Sequence, residues 1–418
     1  MAARRGTQRL IFMRKLSPGR LRLRVALLPV LLAPALLAGC IMQRPDTGAN
    51  APGSAGLSPV AFTALPGWSP ETAETGLASF MRSCASISVM PEDQTLGGDG
   101  IAASLAGKAG QWRGVCAAAR AVPPGDAAAA QTFFQTDFVP YEAATATRVT
   151  GYFEPVYAGS ELRLRGYDIP LYGKPDNLLH ASFSNPAGHD YSVGRLNNGQ
   201  MVPYYTRAQI ERGAIAGNAK PVAWLRDPVD AYMVQVQGSA RLRLPDGTMI
   251  DLGFDGTNGR AYTPIGKLMV QKGYLPANDL SIQTISAWLR AHPAEAATLL
   301  DGNENYVFMK RLLNVPDGLG APGALGVPLT PEGSIAVDEK AIPLGAPVFV
   351  ATKTMDRLTV AQDIDVSARG ASAAQVFFGI GRNAATLAGS TDEAGRMFVL
   401  LPRPGVPAPA ASASGATS

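Results

Sequence analysis

Two early stretches carry apolar residues at helical spacing. Leu77, Phe80, Met81 and Cys84 recur at three- and four-residue steps after a start at Glu71 or Thr72, and residues 102–120 form an alanine-rich run around Trp112 and Cys116. Residues 68–120 therefore read as helical. Beyond Pro140 the period changes: short β-branched or aromatic runs stand between Gly, Pro, Asn and Asp, at 148–152, 169–172, 232–236, 240–244 and 249–254. One helix interrupts them at 280–292, with Ile282, Ile285, Trp288 and Leu289 on one face and Pro293 as its stop. Strand patterns resume at 335–337, 347–351, 358–362 and 376–379. Short strands punctuated by turns predict a barrel rather than a βαβ sheet. After Pro402 the chain is Pro/Ala/Ser-rich, and the tail 403–418 is expected to be disordered.

The N-terminus follows a different plan. A cationic stretch reaches Arg24, an apolar stretch covers 25–38 with Pro29 and Pro34 inside it, and Cys40 follows. A membrane-spanning helix needs about 20 apolar residues, so this run fits a signal-peptide core instead. Leu37-Ala38-Gly39-Cys40 resembles the bacterial lipobox. The expectation is a signal peptide at 1–39, cleaved before a Cys40 that carries diacylglycerol and holds the protein on a lipid bilayer. The plainer alternative is an ordinary signal peptide with an incidental cysteine. Met13 is an alternative start to Met1, and Arg4-Arg5 is a weak twin-arginine signal because no apolar residues follow it directly. A Pro/Gly/Ala/Ser-rich tether spans 40–57. Ile41 is not an aspartate, so in a Gram-negative host the expected place is the outer membrane, facing the periplasm. Exported cysteines are oxidised, and Cys84 with Cys116 reads as a disulfide; two free buried thiols are the alternative.

Charge then narrows the partners. The formal net charge is +4, but eight cationic residues lie within the first 24, and without them the balance is about −4. No nucleic-acid surface is implied. Three histidines, and no CxxC, HExxH or P-loop pattern, argue against a metal site or a nucleotide fold.

Four collinear stretches resemble the family of membrane-bound lytic murein transglycosylase A. They are Gly151-Tyr152-Phe153-Glu154-Pro155; Gln235-Val236-Gln237-Gly238-Ser239 with Arg241–Gly247 behind it; Asn258-Gly259-Arg260-Ala261-Tyr262-Thr263 with Asn303–Phe308; and a run through Ala336-Val337-Asp338 to Ala361-Gln362-Asp363. The resemblance covers about residues 70–402. It implies a mainly β fold with some α: a double-psi β-barrel split in sequence (58–155 plus 311–402, with the N-terminal helices), a second β-rich domain inserted at 156–310, and a groove between them for a peptidoglycan glycan strand. It also implies a lyase of cell-wall turnover that cleaves the MurNAc–GlcNAc β-1,4 bond without water. The C6 hydroxyl of MurNAc attacks its own C1, so one carboxyl serves in turn as acid and base, and no metal or organic cofactor is needed. Proteins of wall synthesis are the open class of protein partner.

The family's three aspartates match Asp338, Asp363 and, at the position of the catalytic acid, Gln375, which has no proton to give. The Gly-Gly expected after Asp363 is also absent, and Asp365 stands in the altered loop. Three readings follow: an enzyme with Asp363 as acid, Asp338 beside it and Asp365 as a possible substitute; an inactive glycan-binding lipoprotein of the same fold; or a purely structural envelope lipoprotein. The candidate glycan contacts are Thr150, Tyr152, Glu154, Gln235, Gln237, Tyr262 and Tyr306. Gln235 and Gln237 are expected to alternate on a strand face, and the tyrosines either stack on sugars or fill the core.

Overall fold

The computed structural model describes residues 56–403, apart from 98–103, 105, 145, 186–187, 366–367 and 369. The signal peptide, Cys40, most of the tether and the tail from 404 lie outside the described residues. The tether's last residue does not. Leu57 is buried and opens a short strand, Leu57–Pro59, antiparallel to Phe138–Ala143. The folded body therefore begins before residue 58.

Both runs within the helical stretch 68–120 form helices. α1 (Pro70–Ile87) starts where Ser69 and Thr72 cap each other's backbone, with Pro70 in the first turn where its missing N–H costs nothing. α2 (Ala109–Ala121) follows a passage that contains Pro91 and a Thr95–Lys108 bridge. A third helix, α3 (Ala127–Asp137), was not expected; Asp126 caps it by accepting the Ala129 N–H. Its Phe133 and Phe134 join Phe80, Trp112 and Phe138 in one aromatic cluster. Cys84 and Cys116 form a disulfide that ties α1 to α2.

These helices lie against a barrel of six strands: β1 (Thr147–Glu154), β2 (Ser334–Val337), β3 (Pro347–Ala351), β4 (Asp356–Ile364), β5 (Ala373–Ile380) and β6 (Asp392–Pro402). Hydrogen bonding runs β6-β3-β4-β2-β5-β1, and β1 pairs back to β6, so the ring closes. Two pairings, β2–β4 and β5–β1, are parallel; the others are antiparallel. Closure leaves no open edge among the six strands. β3 is buried along its whole length, which is why it reads as a continuous apolar run rather than an alternating one. As the resemblance implies, the barrel is split: β1 precedes the inserted domain and β2–β6 follow it.

The insert builds a second six-stranded sheet from Val156–Ser160, Ile169–Tyr172, Pro221–Leu225, Ser239–Arg243, Met249–Thr257 and Val307–Leu312. Besides a short helical turn at Arg207–Glu211, four longer helices accompany it among the described residues: α4 (Pro228–Gln237), α5 (Ile265–Gln271), α6 (Ile282–Ala291) and α7 (Pro293–Asp301). α4 corrects an expectation, because 232–236 had a strand pattern. Asp227 accepts the Val229 N–H at 2.8 Å, Pro228 follows the cap, and Gly238 ends the helix in the left-handed region at φ 74°. The helix is buried on several sides, so no 3.6-residue stripe marks it in the sequence. α8 (Gly381–Ser390), between β5 and β6, was also not anticipated.

Gly151 in β1 sits where α8 crosses. A Cβ there would lie 2.5 Å from Ala388 Cα and 2.7 Å from the Phe378 ring. Gly151→Ala is expected to destabilise the barrel by roughly 1–3 kcal/mol through overpacking, seen as a lower urea midpoint at unchanged slope.

Candidate active site

A polar residue inside an apolar strand organises the barrel mouth. Gln362 of β4 is fully buried. Its amide donates to the Ser79 carbonyl (2.9 Å) and Ser83 Oγ (2.8 Å) on α1, and its carbonyl accepts from Ser334 Oγ on β2 (2.5 Å). The β2–β4 ladder is bulged at this point: Ile335 faces Ala361 and Ala336 faces Asp363, so Gln362 is skipped. A bulge re-aims the residue that follows it. Gln362 and Asp363 accordingly meet different partners, Gln362 on α1 and β2 and Asp363 on β1 and the loop ahead of β2.

Asp363 is held by three donors. Tyr152 Oη donates to Oδ2 (3.1 Å), and the N–H groups of Ala324 (3.1 Å) and Ile364 (3.0 Å) donate to Oδ1. The loop that brings Ala324 passes very close: a Cβ on Gly323 would meet the Gln362 carbonyl at 2.5 Å. Burial pushes the Asp363 pKa up; the three donors pull it down, and the nearby charge of Asp365 adds to the rise. The net direction is upward, toward a carboxyl that keeps its proton longer. Tyr152 is pushed well above the usual phenol range by burial first and by the two aspartates next.

Asp365 lies two residues on, and its Oδ2 accepts from Gln375 Nε2 at 2.8 Å. Gln375 comes from β5, where it sits opposite Thr150 of β1 and Ala336 of β2. An amide thus occupies the expected acid position and holds a carboxylate there. Asp338, just past β2, uses Oδ1 on the Lys340 N–H (3.0 Å) and Oδ2 on the Gly370 N–H (2.7 Å). Its ties are those of a turn and loop anchor.

The insert reaches the same place. Tyr262, 37 % exposed, has its pKa raised by partial burial first, against the pull of Arg207, and Asp365 adds a smaller rise. Tyr262 also borders an apolar concavity of about 600 Å³ lined by Tyr232, Met233, Val236, Ile265 and Leu280. Gln237 Oε1 accepts the Phe153 N–H at 3.4 Å, joining α4 to β1.

Several expected contacts are placed elsewhere. Glu154 is 1 % exposed, with Oε1 paired to Arg241 Nε (3.0 Å) and Oε2 accepting the Ala321 N–H (2.7 Å), so it has no edge for a sugar. Tyr306 is buried against Phe308 and beside the Arg207 guanidinium. Gln235 lies on a helix rather than a strand face and is buried at 4 % exposure. Tyr152 and Tyr262 lie by the aspartates, Thr150 sits opposite Gln375, and Gln237 meets the Phe153 N–H. Sequence reasoning missed Gln362 as an anchor, though a glutamine inside 358–362 was its signal. It also missed Arg241, Gly323 and the Ala324 N–H, which no local pattern announces.

Two family models match the chain: the MltA specific insert domain over residues 148–310 and the 3D domain over 333–401. The membrane-bound lytic murein transglycosylase A of Escherichia coli K12 is 32 % identical over 213 residues, which is 48 % of this chain. That match spans only 57 % of the relative's length. Among solved structures, MltA from Neisseria gonorrhoeae is 32 % identical with a TM-score of 0.68, covering 84 % of this chain and 94 % of that one. A membrane-bound lytic murein transglycosylase from Agrobacterium tumefaciens is 28 % identical with a TM-score of 0.73, covering 83 % and 98 %.

A carboxyl with a raised folded-state pKa makes stability fall as pH rises from its ordinary value near 3.8 through the folded value. Asp363→Asn keeps the shape and removes the charge. It is expected to raise the melting temperature at neutral pH, with the gain disappearing below about pH 4. Scanning calorimetry across pH 3–8 reads both.

Proposed function

Because the chain belongs to the membrane-bound lytic murein transglycosylase A family, we propose that it is a peptidoglycan lytic transglycosylase with Asp363 as its acid and base. The observation that carries this reading is Asp363 itself: a carboxyl at the barrel mouth, pushed toward the protonated form by burial, with Tyr152 and two backbone N–H groups fixing its direction. Protonated Asp363 gives its proton to the glycosidic oxygen between MurNAc and GlcNAc as the C1–O bond breaks. The carboxylate then takes the proton of the MurNAc C6 hydroxyl while that oxygen bonds to C1. The product is a 1,6-anhydro-MurNAc end, no water is consumed, and the enzyme returns to its starting form. In this reading the nucleophile belongs to the substrate, and the protein supplies one carboxyl.

In this reading the glycan lies between barrel and insert, over Thr150, Tyr152, Gln237 and Tyr262. Tyr262, on the insert side, offers an exposed ring face to a sugar. The Cys40 lipid holds the protein on the outer membrane, facing the wall from the periplasm. Gln375 favours a second reading, an inactive glycan binder, because it stands where the family carries its acid.

Digestion of purified sacculi, with products identified by mass spectrometry, separates the two. Wild-type protein is expected to release 1,6-anhydro muropeptides, and Asp363→Asn to lower the rate at least 10²-fold. Retention on sacculi without any product would support the binder. Cys40→Ala is expected to abolish lipid labelling and move the protein to the soluble fraction.

A further inference from the structure

The apolar concavity beside Tyr262 has no part in the chemistry proposed so far. It encloses about 600 Å³ among three helices of the insert: Met233 and Val236 line it from α4, Ile265 and Val270 from α5, and Ile282 and Ile285 from α6. Two of these helices carry it to the candidate site. α4 ends at Gln237, whose side-chain carbonyl accepts the Phe153 N–H of β1. Phe153 packs with Ile282 of α6 and with Ala384 and Ala388 of α8. Gln283, next on α6, donates its amide N–H to the Ala385 carbonyl at 3.1 Å. The concavity therefore abuts β1 one residue along from Tyr152, the hydroxyl partner of Asp363. Tyr262 lines it from the groove side, 37 % exposed.

Its chemistry narrows what it can take. The walls are apolar, and Lys267 is the one cation among the lining residues. That lysine is exposed and has no ion-pair partner among the described residues. Sugar rings carry hydroxyls around their edges, and an apolar wall leaves those hydroxyls unbonded. The peptide stem on the lactyl group of MurNAc is different: its alanines present bare methyl groups, and its acidic residues and C-terminus present free carboxylates. We infer that the concavity receives the peptide stem of the MurNAc at the cleavage point, with alanine methyls against α4 and α6 and a stem carboxylate on Lys267. Apolar walls supply the burial, and a single polar group sets the direction. A strand lying over Tyr152 and Tyr262 has to place a stem beside the site, and this recess adjoins it. The inference rests on the glycan lying between barrel and insert, and it makes stem-bearing strands, rather than stripped glycan, the preferred substrate.

Binding tests this without turnover. Full-length protein in detergent micelles, carrying Asp363→Asn, is titrated into fluorescently labelled glycan strands that either bear stems or have been stripped by an amidase, and anisotropy gives each Kd. Stem-bearing strands are expected to bind about tenfold more tightly, a difference of roughly 1.4 kcal/mol. Ala277 lines the rim and is exposed, so Ala277→Trp fills the concavity without entering the core. It is expected to bring stem-bearing strands to the level of stripped ones. Lys267→Ala is expected to weaken stem-bearing strands roughly two- to fivefold, the range of an exposed ion pair, and added salt should erase that difference. Equal affinity for both kinds of strand before any rim change overturns the inference and leaves the concavity to another occupant. So does an unchanged stem-bearing affinity in either rim variant, or an equal loss on both strands in Ala277→Trp, which would mark a distorted groove. Binding of neither strand overturns it together with the groove. Digestion of sacculi by wild-type protein separates the two readings. Equal affinities with 1,6-anhydro products released sink the stem site and leave the lytic activity; a stem preference without any product does the reverse.

Discussion

The hydrogen-bonded cage around Gln362 is the constraint on which the barrel mouth depends. A glutamine buried without partners would cost several kcal/mol of lost hydration; here its amide group meets α1 and β2 at three points. Those contacts fix where β4 stands against the helical layer. They also sit at the bulge that precedes Asp363. A slip of one residue in this strand would send Asp363 into the core and Gln362 to the mouth. Two polar side chains adjacent in sequence therefore have separate sets of partners, Gln362 in the helical layer and Asp363 at the mouth.

A second buried polar contact joins the two sheets. Glu154 ends β1, and Arg241 lies in the insert's sheet, where it pairs with Glu154 and Asp251 at 3.0 Å and donates to the Leu319 carbonyl at 2.7 Å. Burial raises the Glu154 pKa, although Arg241 and the Ala321 N–H pull it down. Removing one partner of such a pair leaves a charge stranded, which costs more than the pair itself contributes. The Gly-Tyr-Phe-Glu-Pro motif thus holds parts with different duties. Gly151 admits α8, Tyr152 touches Asp363, and Glu154 bolts the insert to the barrel.

The sequence disclosed the barrel and the split because alternation and turn residues are local signals, and the collinear motifs supplied the rest. It misled where burial erased the pattern: α4 is covered on several sides and carries Tyr232 and Val234, which suit a strand equally well. Sugar-like residue types misled in the same way. Tyr306, Glu154 and Gln235 look like glycan contacts by chemistry, but each is buried, and burial depends on partners distant in sequence. Asp363 and Gln375 were legible as positions. Their connection was not, because the hydrogen bond from Gln375 to Asp365 passes beyond a strand that is adjacent in the sheet and remote in the chain.

Ring closure by the first and last barrel strands also sets an order of events. β1 must wait for β5 and β6, with the entire insert between them, so the pairings that complete the ring are among the most distant in the chain. Contacts of that kind form slowly, because chain entropy is lost before they return any stability. Tyr152 is on β1, Asp363 on β4 and Gln375 on β5. A chain still emerging holds these groups apart, and only a finished one brings them together. The latest step of assembly is then also the step that arms the molecule.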